Sequence, residues 1–204
     1  ERSSQRILTM TYEAGLPLAQ LGEAGFDQQL RDTVGLRLSQ MLARQLFEHG
    51  AVHGDPNPAN FAWRQDGSLV VYDFGGVKRF DDDFVGNIRA LLVGARDYDY
   101  ASMDDALHAL GPLRPERDIP PEYYDRWLYA LAPPLYADPL YDYGQADLGQ
   151  RVKKLVPGVL KRANWWQPAP DLVMLDRAVG GLYDNLRNMK AVVPTRGIIQ
   201  GFLT

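Results

Sequence analysis

The sequence predicts a mainly α fold with a small β component, an α+β arrangement. Three observations carry that prediction. Two long stretches, residues 26–48 and 171–189, set apolar residues at helical spacing. One short stretch sets two apolar runs, Phe61-Ala62-Trp63 and Leu69 to Tyr72, on either side of a Gln65-Asp66-Gly67 turn, the pattern of a hairpin. Finally, 204 residues, 46% hydrophobic and 24% charged, suffice for one well-filled core.

The chain in order supports this reading. Arg6 to Tyr12 has the β-branched and aromatic content of a strand, and Glu13-Ala14-Gly15 ends it. Phe26 to Glu48 is the clearest helix: Leu30, Val34, Leu38, Leu42 and Leu46 form its stripe, Asp27 suits an N-cap, and Gly50 suits a stop. After the hairpin, Val77 to Phe80 reads as a short extended piece. Asp81-Asp82-Asp83 reads as a helix N-terminal charge cluster, with a second metal site as the lesser alternative. Helices follow over 84–97, 101–110 and 122–131, the second ended by Gly111-Pro112 and the third by Ala132-Pro133-Pro134. Residues 135–145 read as an ordered loop whose Tyr136, Tyr141 and Tyr143 pack on the core or line a binding surface. Leu148 to Arg162 is helical and basic. Asp171 to Met189 is helical, with Leu172, Leu175, Val179, Leu182 and Leu186 as its buried stripe. Gly180-Gly181 within it suggests close packing, and Arg177 at the border of the stripe calls for an acidic partner.

Composition removes several function classes. A net charge of −4 argues against nucleic acid as a partner. The absence of cysteine excludes disulfides and thiolate metal sites, and three scattered histidines argue against zinc. No apolar run reaches the ~18 residues of a membrane span. There is no signal peptide, which points to the cytoplasm. The start at Glu1 rather than Met reads as a domain cut from a longer protein.

The chemistry concentrates in residues 53–75. Asp55 and Asn60 stand five positions apart, and Asp73 opens Asp73-Phe74-Gly75 thirteen positions after Asn60, across the hairpin. The pattern His-x-Asp-x-x-x-x-Asn, hairpin, Asp-Phe-Gly is the phosphotransfer layout of protein-kinase-like folds. Phosphoryl transfer needs hard cations on the phosphate oxygens, and an Asn carbonyl and an Asp carboxylate are suitable ligands. A second Asp orients the attacking hydroxyl or accepts its proton. On this basis Asp55 and His53 are the candidate catalytic residues, and Asn60 and Asp73 the candidate metal ligands and cofactor contacts. Pro56 and Pro58 stiffen the loop, and Gly75-Gly76 permits a sharp bend. The plainer alternative is a helix–loop–hairpin corner with Asp and Asn as turn formers.

These residues resemble the C-terminal lobe of UbiB/AarF-type atypical kinase-like proteins. The resemblance rests on the strand Leu8 to Gly15, the amphipathic helix ending in the His53-x-Asp55 loop, the Asp66-Gly67 turn, Asp73-Phe74-Gly75, and Leu175-Asp176-Arg177 on a late helix. It is strong over 6–80 and looser afterwards. It departs at Asn57, where the family has His, and at Ala59, where it has Gly. It implies a helical kinase-like C-lobe over 26–204, preceded over 1–25 by the end of an N-lobe strand and a hinge. There Thr11, Tyr12 and Glu13 lie near a nucleotide base; an edge strand is the alternative. It implies ATP and Mg²⁺ as cofactors, and phosphoryl transfer or ATP hydrolysis in support of ubiquinone or isoprenoid-lipid metabolism. The missing N-lobe of the same protein, with its phosphate-contacting Lys and Lys-x-Gly-Gln extension, is an implied partner. The chain alone is then expected to be inactive or only weakly nucleotide-binding.

Two other readings stand beside it. One is a small-molecule phosphotransferase of the aminoglycoside or choline kinase type, whose loop is also His-Gly-Asp-x-x-x-x-Asn. The other is a non-catalytic binding module, with Lys153, Lys154, Lys161 and Arg162 meeting a membrane or lipid surface beside Trp165-Trp166. For that basic cluster a solvated helix face is the default, and peripheral attraction to anionic headgroups the sharper reading.

Overall fold

The computed structural model describes residues 3–7, 9–23, 25–117 and 119–203. The strand expected over Arg6 to Tyr12 does not form among them, and Leu8 lies outside the described residues. Ser4 and Ile7 instead close a small turn, and Ile7, Met10 and Tyr12 are exposed, Tyr12 at 86%. β-branched and aromatic residues favour a strand only where a neighbouring surface half-buries them, and the described residues of this segment stand exposed. The first strand is β1, Leu16–Pro17, and a 3-10 turn, Leu18–Gly22, then drives Leu18 and Leu21 into the core.

Helix α1, Gln28–Phe47, starts where expected. The Asp27 carboxylate accepts from the Gln29 N–H, and Gly50 ends the turn beyond the helix at φ +55°. It delivers the chain to β2, Ala51–His53. The hairpin follows as β3, Phe61–Trp63, and β4, Leu69–Val71, in the register Phe61↔Val71 and Trp63↔Leu69. At its turn Asp66 accepts from the Ser68 N–H at 2.9 Å, which holds its carboxyl below the usual carboxylate range. β1 adds to the open edge of β3. β5, Val77–Arg79, returns antiparallel to β2.

The rest is helical. Asp81 caps α2, Asp82–Asp97, by accepting from the Phe84 N–H, and Asp82 and Asp83 sit in the first turn, so the acidic run is a helix start. α3, Tyr100–Leu110, ends at Gly111, and α4 spans Pro121–Leu131. The Pro133-Pro134 pair ends α4 but also opens a one-turn helix α5, Pro133–Tyr136, because proline suits the first helical turn. A short β6, Tyr141–Asp142, precedes α6, Leu148–Lys161, and α7, Pro170–Met189; β7, Val192–Val193, then pairs with β6. α8, Thr195–Gln200, closes the chain.

Three apolar clusters hold these elements together. The first joins Leu18, Leu21, Val34, Leu38, Phe61, Trp63, Leu186 and Met189, so α1, the hairpin and the C-terminal half of α7 share one core. Tyr143 is buried in the same cluster with Tyr141 packed against it, so both tyrosines serve packing. The second unites the end of α1, β2, α2 and Leu175 of α7. The third, around Tyr123, Tyr124 and Leu128, takes Trp165 and Trp166 as partly buried packing partners. The α7 stripe differs from expectation at one position: Val179 is 48% exposed and Ala178 is buried instead. The fully buried positions of α7 are 175, 178, 185, 186 and 189, and Leu172 and Leu182 are partly buried on the core clusters.

Candidate active site

The site is built where β2, the hairpin and α7 meet. β2 ends in His53, which is buried with both ring nitrogens committed to backbone. Its Nδ1 accepts from the Asp55 N–H at 3.3 Å, and its Nε2–H donates to the Asp73 carbonyl. The Gln45 side chain accepts from the His53 N–H at 3.1 Å. His53 therefore ties the start of the loop to the residue after the hairpin. With both ring nitrogens so engaged, this candidate catalytic residue is held by the backbone of the two segments it joins. The chain continues through Gly54, whose N–H donates to the Gly76 carbonyl at 2.8 Å. A Cβ on Gly54 would stand 2.6 Å from that carbonyl oxygen, so the two segments approach this closely only with glycine. Gly75 and Gly76 form the turn expected of them between Asp73 and β5, with neither at a positive φ.

Asp55 and Asn60 are locked together. The Asn60 amide donates to Asp55 Oδ2 at 2.7 Å and to its carbonyl at 3.3 Å. Between them Asn57 accepts from the Ala59 N–H at 3.0 Å and sets a 3-10 turn, Pro58–Asn60. With its amide nitrogen turned to Asp55, Asn60 keeps its Oδ1 carbonyl oxygen for a cation. The hairpin brings Asp73 back beside it, because the Tyr72 N–H donates to the Asn60 carbonyl at 3.0 Å and extends the ladder to the residue before Asp73. Asp73 is exposed, and one of its oxygens, Oδ1, accepts from the Gly75 N–H at 2.7 Å. The two residues thus offer an oxygen-only donor set with two protein ligands. This fits Mg²⁺, which keeps several waters and takes its other ligands from substrate phosphates. Among the described residues there is no group of three or more His, Cys, Asp or Glu that could hold a metal.

Helix α7 backs the loop through a single stripe. Met174 lies under Gly54, Arg177 donates from Nη2 to Asp55 Oδ1 at 3.3 Å, Gly181 sits beneath Pro56, and the Asn185 amide donates to the Pro56 carbonyl at 3.0 Å. A Cβ on Gly181 would fall 2.0 Å from the Pro56 Cβ, whereas one on Gly180 would meet nothing within 4 Å. The close packing expected of the Gly180-Gly181 pair therefore belongs to Gly181. The acidic partner expected for Arg177 exists, but the pair is not buried: its side chains are 59% and 40% exposed. The identity of that partner, and the part played by Asn185, escaped the sequence; the only sign was the four-residue spacing of Arg177, Gly181 and Asn185.

The segment proposed to meet a nucleotide base is strapped to the hairpin. Arg64 donates to the Ala14 carbonyl at 2.9 Å and pairs with the Glu13 carboxylate at 2.5 Å, and the Tyr72 hydroxyl donates to the Glu13 carbonyl at 3.1 Å. Glu13 is thus brought to the residue preceding Asp73, while Thr11 and Tyr12 stand exposed beyond it. The basic cluster lies elsewhere, on α6 and just after it. Arg151 pairs with Asp147, and Arg162 covers the rings of Tyr123 and Trp165, while Lys153, Lys154 and Lys161 are exposed. Among the described residues no helix is long and apolar enough to cross a membrane.

The chain is similar to several known proteins. The family model described as "ABC1 atypical kinase-like domain" matches residues 1–107, the part that holds the loop and the hairpin. The chain is 26% identical over 205 residues to the atypical kinase COQ8B, mitochondrial, of Rattus norvegicus, covering 98% of this chain and 38% of that protein. It is 24% identical over 208 residues to the atypical kinase COQ8, mitochondrial, of Schizosaccharomyces pombe, covering 33% of that protein. It therefore spans well under half the length of these relatives. The structure of an Rv3197–erythromycin complex from Mycobacterium tuberculosis superposes with a TM-score of 0.75 at 21% identity, over 95% of this chain and 49% of that one, which establishes the shared fold. With more than half of its length matched by the family model, and with that match spanning the His53-to-Gly75 stretch, this chain belongs to the ABC1 atypical kinase-like (UbiB) family.

Proposed function

We propose that this chain is the metal-binding and catalytic-loop lobe of an ATP-dependent enzyme that transfers a phosphoryl group or hydrolyses ATP. The observation that carries the reading is the convergence of Asp55, Asn60 and Asp73, achieved by the hairpin and locked by the 2.7 Å Asn60–Asp55 hydrogen bond. Asp55 orients the attacking hydroxyl or water and accepts its proton. Asn60 Oδ1 and the Asp73 carboxylate hold Mg²⁺, which when bound neutralises charge on the phosphate oxygens. His53 is a positioning residue: its two backbone bonds hold Asp55 and Asp73 at a fixed separation. The Glu13 strap sets the hinge beside the base. Further phosphate contacts come from segments outside these 204 residues, so the isolated chain binds nucleotide weakly and does not turn it over. The COQ8 names of the relatives support a role in ubiquinone or isoprenoid-lipid metabolism.

The test uses the protein at its natural full length. Mg²⁺-dependent binding of ATP and its turnover are measured for the wild type and for Asp73→Asn. Loss of one metal-ligating carboxylate is expected to weaken Mg²⁺-dependent binding and to lower turnover by about 100-fold or more. Unchanged affinity and turnover in Asp73→Asn would refute the assignment.

A further inference from the structure

Phosphoryl transfer requires positive charge at the oxygens of the migrating group. The catalytic loop supplies none, since residues 56–59 are Pro, Asn, Pro and Ala. Lys78, the neighbouring cation on β5, is engaged by Asp171 at 2.6 Å. Arg177 is placed differently. Its helix is fixed to the loop on both sides, through Met174 at Gly54 and through Gly181 and Asn185 at Pro56, so its Cα cannot drift from Asp55. Its head group is loosely held. It makes one contact to Asp55, at 3.3 Å, and the side chain is 59% exposed. That distance is beyond the usual range for an N–H···O bond, and an exposed ion pair of this kind is weak. Asp55 is meanwhile held firmly from the other side by Asn60. A guanidinium tethered at the nucleophile-orienting carboxylate, with most of its five N–H donors uncommitted among the described residues, can pair side by side with two oxygens of a phosphate.

We infer that Arg177 is a phosphate-binding residue of this site. It rests on Asp55 and turns its N–H groups to the oxygens of the terminal phosphate when nucleotide is bound. The inference rests on the phosphotransfer reading above. It gives α7 a second task beside bracing the loop, and it explains why a lobe whose loop has no cation can still face a triphosphate.

The experiment measures equilibrium binding to the natural full-length protein in Mg²⁺, by displacement of a fluorescent nucleotide. The probes are ADP and a non-hydrolysable ATP analogue. Arg177→Gln and Arg177→Lys are each made alone and combined with Asp55→Asn. Arg177→Gln is expected to weaken the triphosphate analogue by about tenfold or more and ADP far less. Arg177→Lys restores part of the loss, and the loss persists when Asp55 is Asn. Equal losses for both nucleotides, no loss for either, or a loss that vanishes in the Asp55→Asn background would each overturn the inference; the last outcome would leave Arg177 only a positioning role. Failure of the underlying reading looks different. The wild type would then bind neither nucleotide in a Mg²⁺-dependent way, or Asp73→Asn would bind both as well as the wild type does.

Discussion

Replacing Gly181 with Ala should disturb the catalytic loop while barely disturbing the helix that carries it. The added Cβ would sit 2.0 Å from Pro56 Cβ and 2.1 Å from Pro56 Cγ. Carbon atoms in contact settle at about 3.5–4.0 Å, so α7 and the loop must separate by roughly 1.5 Å at this point. Pro56 cannot rotate out of the way, because its ring locks both the side chain and φ. Overpacking of this kind costs about 1–3 kcal/mol, and the better helix propensity of Ala offsets about 1 kcal/mol of it. The net loss of stability is therefore about 0–2 kcal/mol. The functional loss should be much larger, since a misplacement of about 1 Å at a reacting group can cost on the order of 100-fold in rate. Gly180→Ala is the matched control: its Cβ meets nothing within 4 Å. It should gain up to ~1 kcal/mol from helix propensity and keep its nucleotide binding. The assays are thermal unfolding, Mg²⁺-nucleotide affinity and turnover for both variants at full length. If Gly181→Ala matched Gly180→Ala in all three, α7 would not be what sets the loop.

Two further outcomes follow from the same structure. Burial pushes the Tyr143 phenol up to about 12, opposed by its 2.9 Å hydrogen bond with Thr195. Between pH 10 and 12 the folded chain then keeps a proton that the unfolded chain has lost, so the tyrosine's contribution is complete below pH 10 and disappears as pH rises through 12. It amounts to about 2–3 kcal/mol; denaturant titrations of the wild type and Tyr143→Phe should converge across that window, and a pH-independent difference would refute the account. On α6, the exposed Lys153, Lys154 and Lys161 are proposed to meet anionic lipid headgroups. Converting them to Glu should abolish co-sedimentation with anionic vesicles at low salt, and an absence of binding by the wild type would end that proposal.

Local chemistry was the most legible part of the sequence. Asp27 and Asp81 cap the helices that their positions implied, and Asp66-Gly67 makes the hairpin turn, because caps and turns are decided by residues a few positions apart. The loop and Asp73 were legible for the same reason: a hairpin returns its ends to one place whatever surrounds it. What depends on distant partners was not. The pairing of β2 with β5, the burial of Leu18 and Leu21, and the exposure of Arg6, Ile7 and Thr9 to Tyr12 in place of a strand are set by surfaces far away in sequence. Arg177 was recognisable as a residue needing an acid, but Asp55 lies 122 positions away, and only the docking of α7 chooses it over other carboxylates.

The Glu13 strap has a mechanical consequence. Arg64 stands just beyond β3 and Tyr72 just beyond β4, and both grip residues 13–14. Asn60 and Asp73 flank the same two strands on the side of the cleft. Arg64 thus holds residues 13–14 from the turn end of the hairpin and Tyr72 from the end that carries Asn60 and Asp73. A movement of residues 13–14 would carry the hairpin, and with it Asn60 and Asp73, as one piece. On the proposed reading the two candidate ligands would then reach the phosphates as a preformed pair, and the cost of ordering them is met once, when the chain folds.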